Sequence, residues 1–333
     1  MGNRNYRVDN IRAIAMLCII LAHCGAPLII NNFRSFDVIT LVFLSSFVVN
    51  INKLCDCTQY KKEILKRSKR IFVPTFMFII LMSLLQFIVY MSVGRSDLFT
   101  INNFINSLLL CENSVGYVWI MKVYFMNFVL ILLLGPIIKK IKYIWQYIFL
   151  ILVFILLYFG CLNLYYNEPS HSYLSWILIN EWFLCCFFYL IVGIDAIYFK
   201  LHENWKKYGL YFWMILLIIT LFFYHQYFWF APTLDKRPAG LQYLAYGMTI
   251  TYLLFKVVPN KKIRIFNYIS INSMEIYYSH TFIIFFTSCF QNIICINSKF
   301  LWILQFFIAF AGSMYISKYL KAINNKILNF GFK

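Results

Sequence analysis

This sequence predicts an all-α fold: a polytopic membrane helical bundle of about ten transmembrane helices, N- and C-termini cytoplasmic. Three observations predict it. Of 333 residues, 62% are hydrophobic and only 13% charged, against about a quarter charged in soluble domains. Uncharged apolar runs of bilayer-spanning length, about 20 residues, recur from end to end. The basic residues gather in alternate connections between those runs. Disorder is excluded, because so apolar a chain cannot stay solvated. The 12 Gly, 7 Pro and 10 Cys are too few and too scattered for a fibrous or disulfide-built class.

The apolar segments run, in order, over 13–30, 36–51, 71–93, 115–138 and 143–164, then 173–198, 208–230, 241–258, 265–294 and 300–317. The first is long, carries His23 and Pro27 and lacks a small-residue cleavage site, so it reads as a span rather than a signal peptide. The ninth is diluted by Asn267, Asn272, Glu275 and His280. Between the third and fourth lies a connection with Phe99, Ile101, Phe104, Ile105 and Leu108–Leu110, which predicts a short interfacial helix. No connection is large enough for a soluble domain, so the expected organisation is one integral-membrane domain over 1–333 with no fused soluble domain.

One alternating set of connections holds 24 of the 30 Lys and Arg, including Arg4, Arg7, Arg12, Lys66, Arg67, Lys69 and Arg70; the opposite set holds five: Arg34, Arg95, Lys236, Arg237 and Lys299. The positive-inside rule therefore puts both termini in the cytoplasm, with the chain multi-pass in the cell (inner or plasma) membrane. The net charge of +18 is a topology signal and a contact for anionic headgroups, not a nucleic-acid footprint. Cys55-Asp56-Cys57 and Cys185-Cys186 lack the further ligands of a zinc site, so no metal is expected.

A charge at the centre of a span costs roughly 2.5–3.5 kcal/mol on insertion scales, so each needs a reason. His23, Lys122, Glu181, Glu275 and His280 are the candidates; Asp195 and His225 fall near span ends, where the interface accounts for them. Counted along the spans, His23, Lys122 and Glu181 lie about 10–12 Å below the outer surface, with His280 deeper. A shared depth suggests one polar layer, and snorkelling is the alternative for Lys122. Arg12 and His23, eleven residues apart, share a face about 16 Å apart along a helix. They suit the two ends of one long ligand, phosphate at the lip and reactive group within, which is the shape of an acyl-CoA. Arg67 and Arg70 share a face at the start of the third span, as phosphate ligands or simply as positive-inside anchors.

The residues 6–15, Tyr-Arg-Val-Asp-Asn-Ile-Arg-Ala-Ile-Ala, followed by His23, resemble the Asp-x-x-Arg-Ala-x-Ala…His signature of the acyltransferase type 3 family of integral-membrane O-acyltransferases. Arg67-Ser68-Lys69-Arg70 with Pro74 resembles its Arg-x-x-Arg element, Val118-Trp119-Ile120 its Leu-Trp-Phe-Leu element, and 272–280 its Ser-x-x-Ile-Tyr-x-x-His element. Ser45-Ser46-Phe47 departs from the usual Ser-Gly-Phe, and Lys122 from the usual apolar residue.

The resemblance implies transfer of an acyl group, usually acetyl, from acetyl-CoA to a hydroxyl of a cell-surface or exported carbohydrate such as an O-antigen, capsule or exopolysaccharide. It implies CoA phosphates on Arg12, Arg67 and Arg70, and His23 as general base or transient acyl carrier. An imidazole with an ordinary pKa of about 6.5 suits the base role. Glu181 is a candidate to orient His23. His280 is a candidate for binding the acceptor or an oxyanion, or else a satisfied core histidine. The expected partners are acyl-CoA, a carbohydrate or lipid-linked glycan acceptor and the bilayer. The rival is a polytopic transporter or flippase of lipid-linked glycans, which leaves the Arg-x10-His spacing unexplained and commonly shows internal repeats, absent here. A glycan polymerase, with a large Arg-rich outer loop, is a third reading.

Overall fold

The computed structural model describes residues 4–50, 57–94, 99–111, 114–167, 172–224, 230–233, 239–294 and 301–330. His225 and the Cys55-Asp56 pair lie outside them. In chain order the helices are α1 (Tyr6–Ala22), α2 (Leu28–Arg34), α3 (Asp37–Phe47), α4 (Cys57–Ser92), α5 (Ile101–Leu108), α6 (Ile120–Lys140) and α7 (Ile144–Asn167). There follow the single turn α8 (Tyr173–Ser175), a π-helical stretch Trp176–Leu184, α9 (Cys185–Leu201), α10 (Glu203–Tyr224), α11 (Leu241–Val257), α12 (Arg264–Ile271), α13 (Ser273–Ile294) and α14 (Leu301–Phe330). The fold is all-helical among the described residues.

Among the described residues seven helical stretches are long and apolar enough to cross a membrane: Leu28–Phe47, Tyr60–Ser92, Val115–Lys140, Ile144–Asn167, Trp176–Leu201, Glu203–Phe223 and Leu301–Lys326. Two further apolar segments, α1 and α11, form helices of 17 residues each. Another falls on α12 and α13, which part at Asn272.

The largest departure from expectation is in the first segment. Asn5 caps α1, its side chain accepting from the backbone N–H of Arg7 and Val8, a standard way to satisfy the first-turn donors. The helix then ends at Ala22 rather than running on to residue 30. Gly25 takes a left-handed φ of +70°, and Pro27, with no N–H to donate, stands as the cap of α2; both stop helix propagation. His23 is thereby the C-cap of α1, its N–H returned to Ile20 and Leu21, not a residue in mid-helix.

The chain divides into two compact units, one of residues 1–44 with 202–333 and one of 45–201. In the first, α1 lies against α12 and α13, α13 against α14, and α10 against α11. Thr40 and Thr251 hydrogen-bond at 2.7 Å between α3 and α11. The start of α1 is sewn to the connection before α12: Asn10 donates to the carbonyls of Pro259 and Lys261, and Arg7 to that of Val258.

In the second unit α6 packs on α4 and α9, and α7 on α9. Asn127 donates to Ser46 at 2.9 Å. Thr75 returns its hydroxyl to the Ile71 carbonyl in the turn that contains Pro74. The helix α5 falls where the sequence predicts a short helix, between segments three and four. Capped by Thr100, it leaves Ile101, Ile105 and Leu108 exposed on one face, as suits a helix lying on lipid. Trp145, Phe149, Leu156 and Leu164 of α7 are exposed likewise.

Candidate functional site

In the unit formed by the two ends of the chain, the family-like residues assemble in two tiers along parallel helices. The lower tier is polar. Asp9, 5% exposed, accepts from Arg4 Nε at 2.6 Å and from the hydroxyl of Ser270 at 2.7 Å. Arg12 Nη1 donates to that same hydroxyl at 3.2 Å and stands 3.8 Å from Asp9. Burial alone would raise the Asp9 carboxyl, but the hydrogen bonds of Arg4 and Ser270 and the charges of Arg4 and Arg12 outweigh it and hold the group below the usual carboxylate range. Asp9 and Arg12 are thus paired, with Ser270 as the bridge.

The upper tier is a histidine pair. His23 and His280 stack with ring centroids 5.5 Å apart and an interplanar angle of 28°. Tyr277 meets His280 edge-on at 5.3 Å. Along α1 eleven residues separate Arg12 from His23, a rise of about 16 Å, and ten residues separate Ser270 from His280 across the joint at Asn272. The depths counted along the spans set His280 below His23; the structure stacks the two rings.

His280 is fully buried, its Nδ1 3.3 Å from the Ile276 carbonyl oxygen. An N–H on Nδ1 donating to that carbonyl leaves Nε2 as the lone-pair nitrogen. Nε2 is buried and has no hydrogen-bond partner among the described residues. A buried acceptor of this kind suits a hydroxyl donor supplied by a ligand.

The other unit carries a polar centre of its own. Lys122, entirely buried, pairs its Nζ with Glu181 Oε2 at 2.9 Å, and Glu181 is itself 3% exposed. Lys122 does not snorkel. Glu181 lies on the π-helical stretch, an irregularity frequent at functional sites, and Lys122 follows a tight turn in which Gly116 and Tyr117 both have positive φ. Its ammonium also stands 5.7 Å from the centre of the Trp182 ring. Arg67 lies over the ring of Phe128 at 4.3 Å, while Arg70, on the same helix, is exposed. Asp195 is not the interfacial residue expected: it is fully buried and accepts from Tyr147 at 2.8 Å.

Ser270 is absent from the sequence reading, and Tyr277 enters it only as part of the 272–280 element. A signal was present for the first, since a hydroxyl ten residues before His280 echoes the spacing from Arg12 to His23. Among the described residues no three His, Cys, Asp or Glu side chains gather as a metal ion would require.

The family model described as an acyltransferase domain matches residues 5–321, nearly the whole chain. The protein belongs to the acyltransferase type 3 family, and is a multi-pass membrane acyltransferase. No curated protein and no solved structure matches it.

Proposed function

We propose that this protein transfers an acetyl group from acetyl-CoA to a hydroxyl of a cell-surface or exported carbohydrate, within the inner or plasma membrane and with both termini cytoplasmic. The observation that carries the reading is the histidine pair standing one ligand's length above the Asp9–Ser270–Arg12 cluster. That arrangement suits a donor whose phosphates meet Arg12 and whose thioester reaches the imidazoles. Arg67 and Arg70 enter as donor-phosphate residues through the family resemblance alone.

In the reaction, His23 takes the proton of the acceptor hydroxyl as its oxygen attacks the thioester carbonyl carbon. The tetrahedral species collapses by breaking the C–S bond, and the departing CoA sulfur receives the proton back from His23. His280 offers an acceptor nitrogen at Nε2, so we assign it to holding the acceptor through a neighbouring hydroxyl, the attacking hydroxyl's one proton going to His23. The alternative, holding the oxyanion, would need a donor at that atom. Glu181, paired with Lys122, is kept as a candidate whose part in transfer is read from Glu181→Gln.

The test is mass spectrometry of surface glycan from cells carrying wild type, His23→Ala, His280→Ala or Arg12→Ala. Loss of O-acetyl groups with glycan amount and length unchanged supports the reading. Unaltered acetylation with altered glycan amount or length would favour a transporter or flippase.

A further inference from the structure

Along α12 and its joint with α13 at Asn272, a pocket of about 620 Å³ opens between α12 and α14. Its lining includes Lys262, Arg264, Lys318 and Lys321, together with Asn267 and Asn272, and no carboxylate. Nothing in the proposed acyl transfer uses these residues. Lys318 and Lys321, three apart on α14, share a face, and Arg264 begins α12 opposite them.

The pocket has a built floor. Lys321 Nζ donates to Asn272 Oδ1 at 2.8 Å, and Asn272 Nδ2 donates to the Tyr268 carbonyl at 2.8 Å. The Tyr268 hydroxyl reaches across to the Met314 carbonyl and to Ser317 on α14. Asn272 is 5% exposed. The side-chain oxygen of Asn267 is buried with no hydrogen-bond partner among the described residues, so it can accept from a ligand hydroxyl. Four cations without a carboxylate among them want a multiply charged anion, and phosphate is the commonest group of that kind.

What adjoins the pocket tells which phosphate. Ile271, which lines it, is 42% exposed, and Ile265 on the same helix 47%. On α14, Tyr319 stands between the two lysines at 56% exposure and hydrogen-bonds Tyr315, itself 62% exposed. In a membrane protein, exposed Ile and Tyr beside Lys and Arg mark the lipid–headgroup boundary. A soluble phosphate compound would have no use for that apolar rim, whereas the acyl chains of a phospholipid would lie along it.

We propose that this pocket is a binding site for the headgroup of an anionic phospholipid. The phosphate sits among Arg264, Lys318 and Lys321, a glycerol-type hydroxyl is accepted by Asn267, and the chains run over Ile265, Ile271 and Tyr315. An occupant would tie α14 to the joint at Asn272, from which α13 rises to His280.

The test uses the full chain reconstituted in phosphatidylcholine with or without phosphatidylglycerol, and native mass spectrometry to count retained lipid. Wild type is expected to retain phosphatidylglycerol and to melt at higher temperature in its presence. Lys318→Gln with Arg264→Gln, which leaves the Lys321–Asn272 contact in place, should lower retention at least about tenfold while melting as wild type does in phosphatidylcholine alone. Lys139→Gln with Lys140→Gln, basic residues elsewhere, should retain the lipid fully. Equal retention by wild type and the pocket variant would overturn the proposal. So would release of the lipid by inorganic phosphate or adenosine monophosphate, which would make this a site for soluble phosphates. None of these readouts involves acetyl transfer, so the proposed reaction can fail while the lipid site stands, and the reverse.

Discussion

The Ser270 hydroxyl donates to the Asp9 carboxylate at 2.7 Å while accepting from Arg12 at 3.2 Å. These two bonds tie the Arg12 turn of α1 to α12. Ser270→Ala removes a partner from a buried carboxylate, and the expected loss is about 1–3 kcal/mol in unfolding stability. If Arg12 meets the donor's phosphates, KM for acetyl-CoA rises with kcat little altered, and Ser270→Thr restores both. Detergent-solubilised melting and steady-state kinetics measure the two effects.

The stacked imidazoles should behave as one unit in kinetics. His23→Ala and His280→Ala are each expected to lower kcat by about 10²–10⁴, and the double substitution to do no more than the worse single one, because groups serving one step are not additive. Single-turnover rates in the four proteins are the measurement. Multiplying losses would assign the two rings to separate steps.

Lys122 and Glu181 are buried together, so removing either takes from the other the charge it pairs with. Lys122→Met or Glu181→Leu is expected to destabilise by about 3–5 kcal/mol. The double substitution, apolar on both sides, should regain most of that loss. Denaturation midpoints of the three variants would check it. If the double variant folds but transfers no acetyl group, the pair serves the chemistry as well as the fold.

Asp9 gives the acid limb of stability a definite sign. Its carboxyl lies below the ordinary range in the folded protein, since the Arg4 and Ser270 hydrogen bonds and the arginine charges outweigh burial. The stabilisation is therefore present in full above the unfolded value of about 3.9 and is lost as pH falls through the lower folded value. Asp9→Asn should flatten the dependence of the melting temperature on pH in that window and leave it unchanged near neutrality.

The helical, membrane-spanning character was legible because it follows from composition and run length, which tertiary contacts do not alter. The same holds for the interfacial α5, whose apolar residues recur at helical spacing. Segment ends were less legible. The continuous segment 13–30 breaks because Gly25 and Pro27 act locally, and hydropathy averaged over a span is blind to two such residues. Lys122 and Asp195 could not be placed from the chain alone, since a long amine can snorkel or pair, and an acid near a span end can face water or, as here, a tyrosine.

The sequence by itself determined that this is an all-helical membrane chain with Arg12 and His23 on one helical face, because hydrophobicity and a rise of about 1.5 Å per residue are local properties. Only the tertiary structure decided that Ser270 joins Arg12, that His280 lies against His23, and that Lys122 finds Glu181. Those meetings depend on which helices pack together and at what register, and that is set by the sum of many buried contacts rather than by any one stretch of chain.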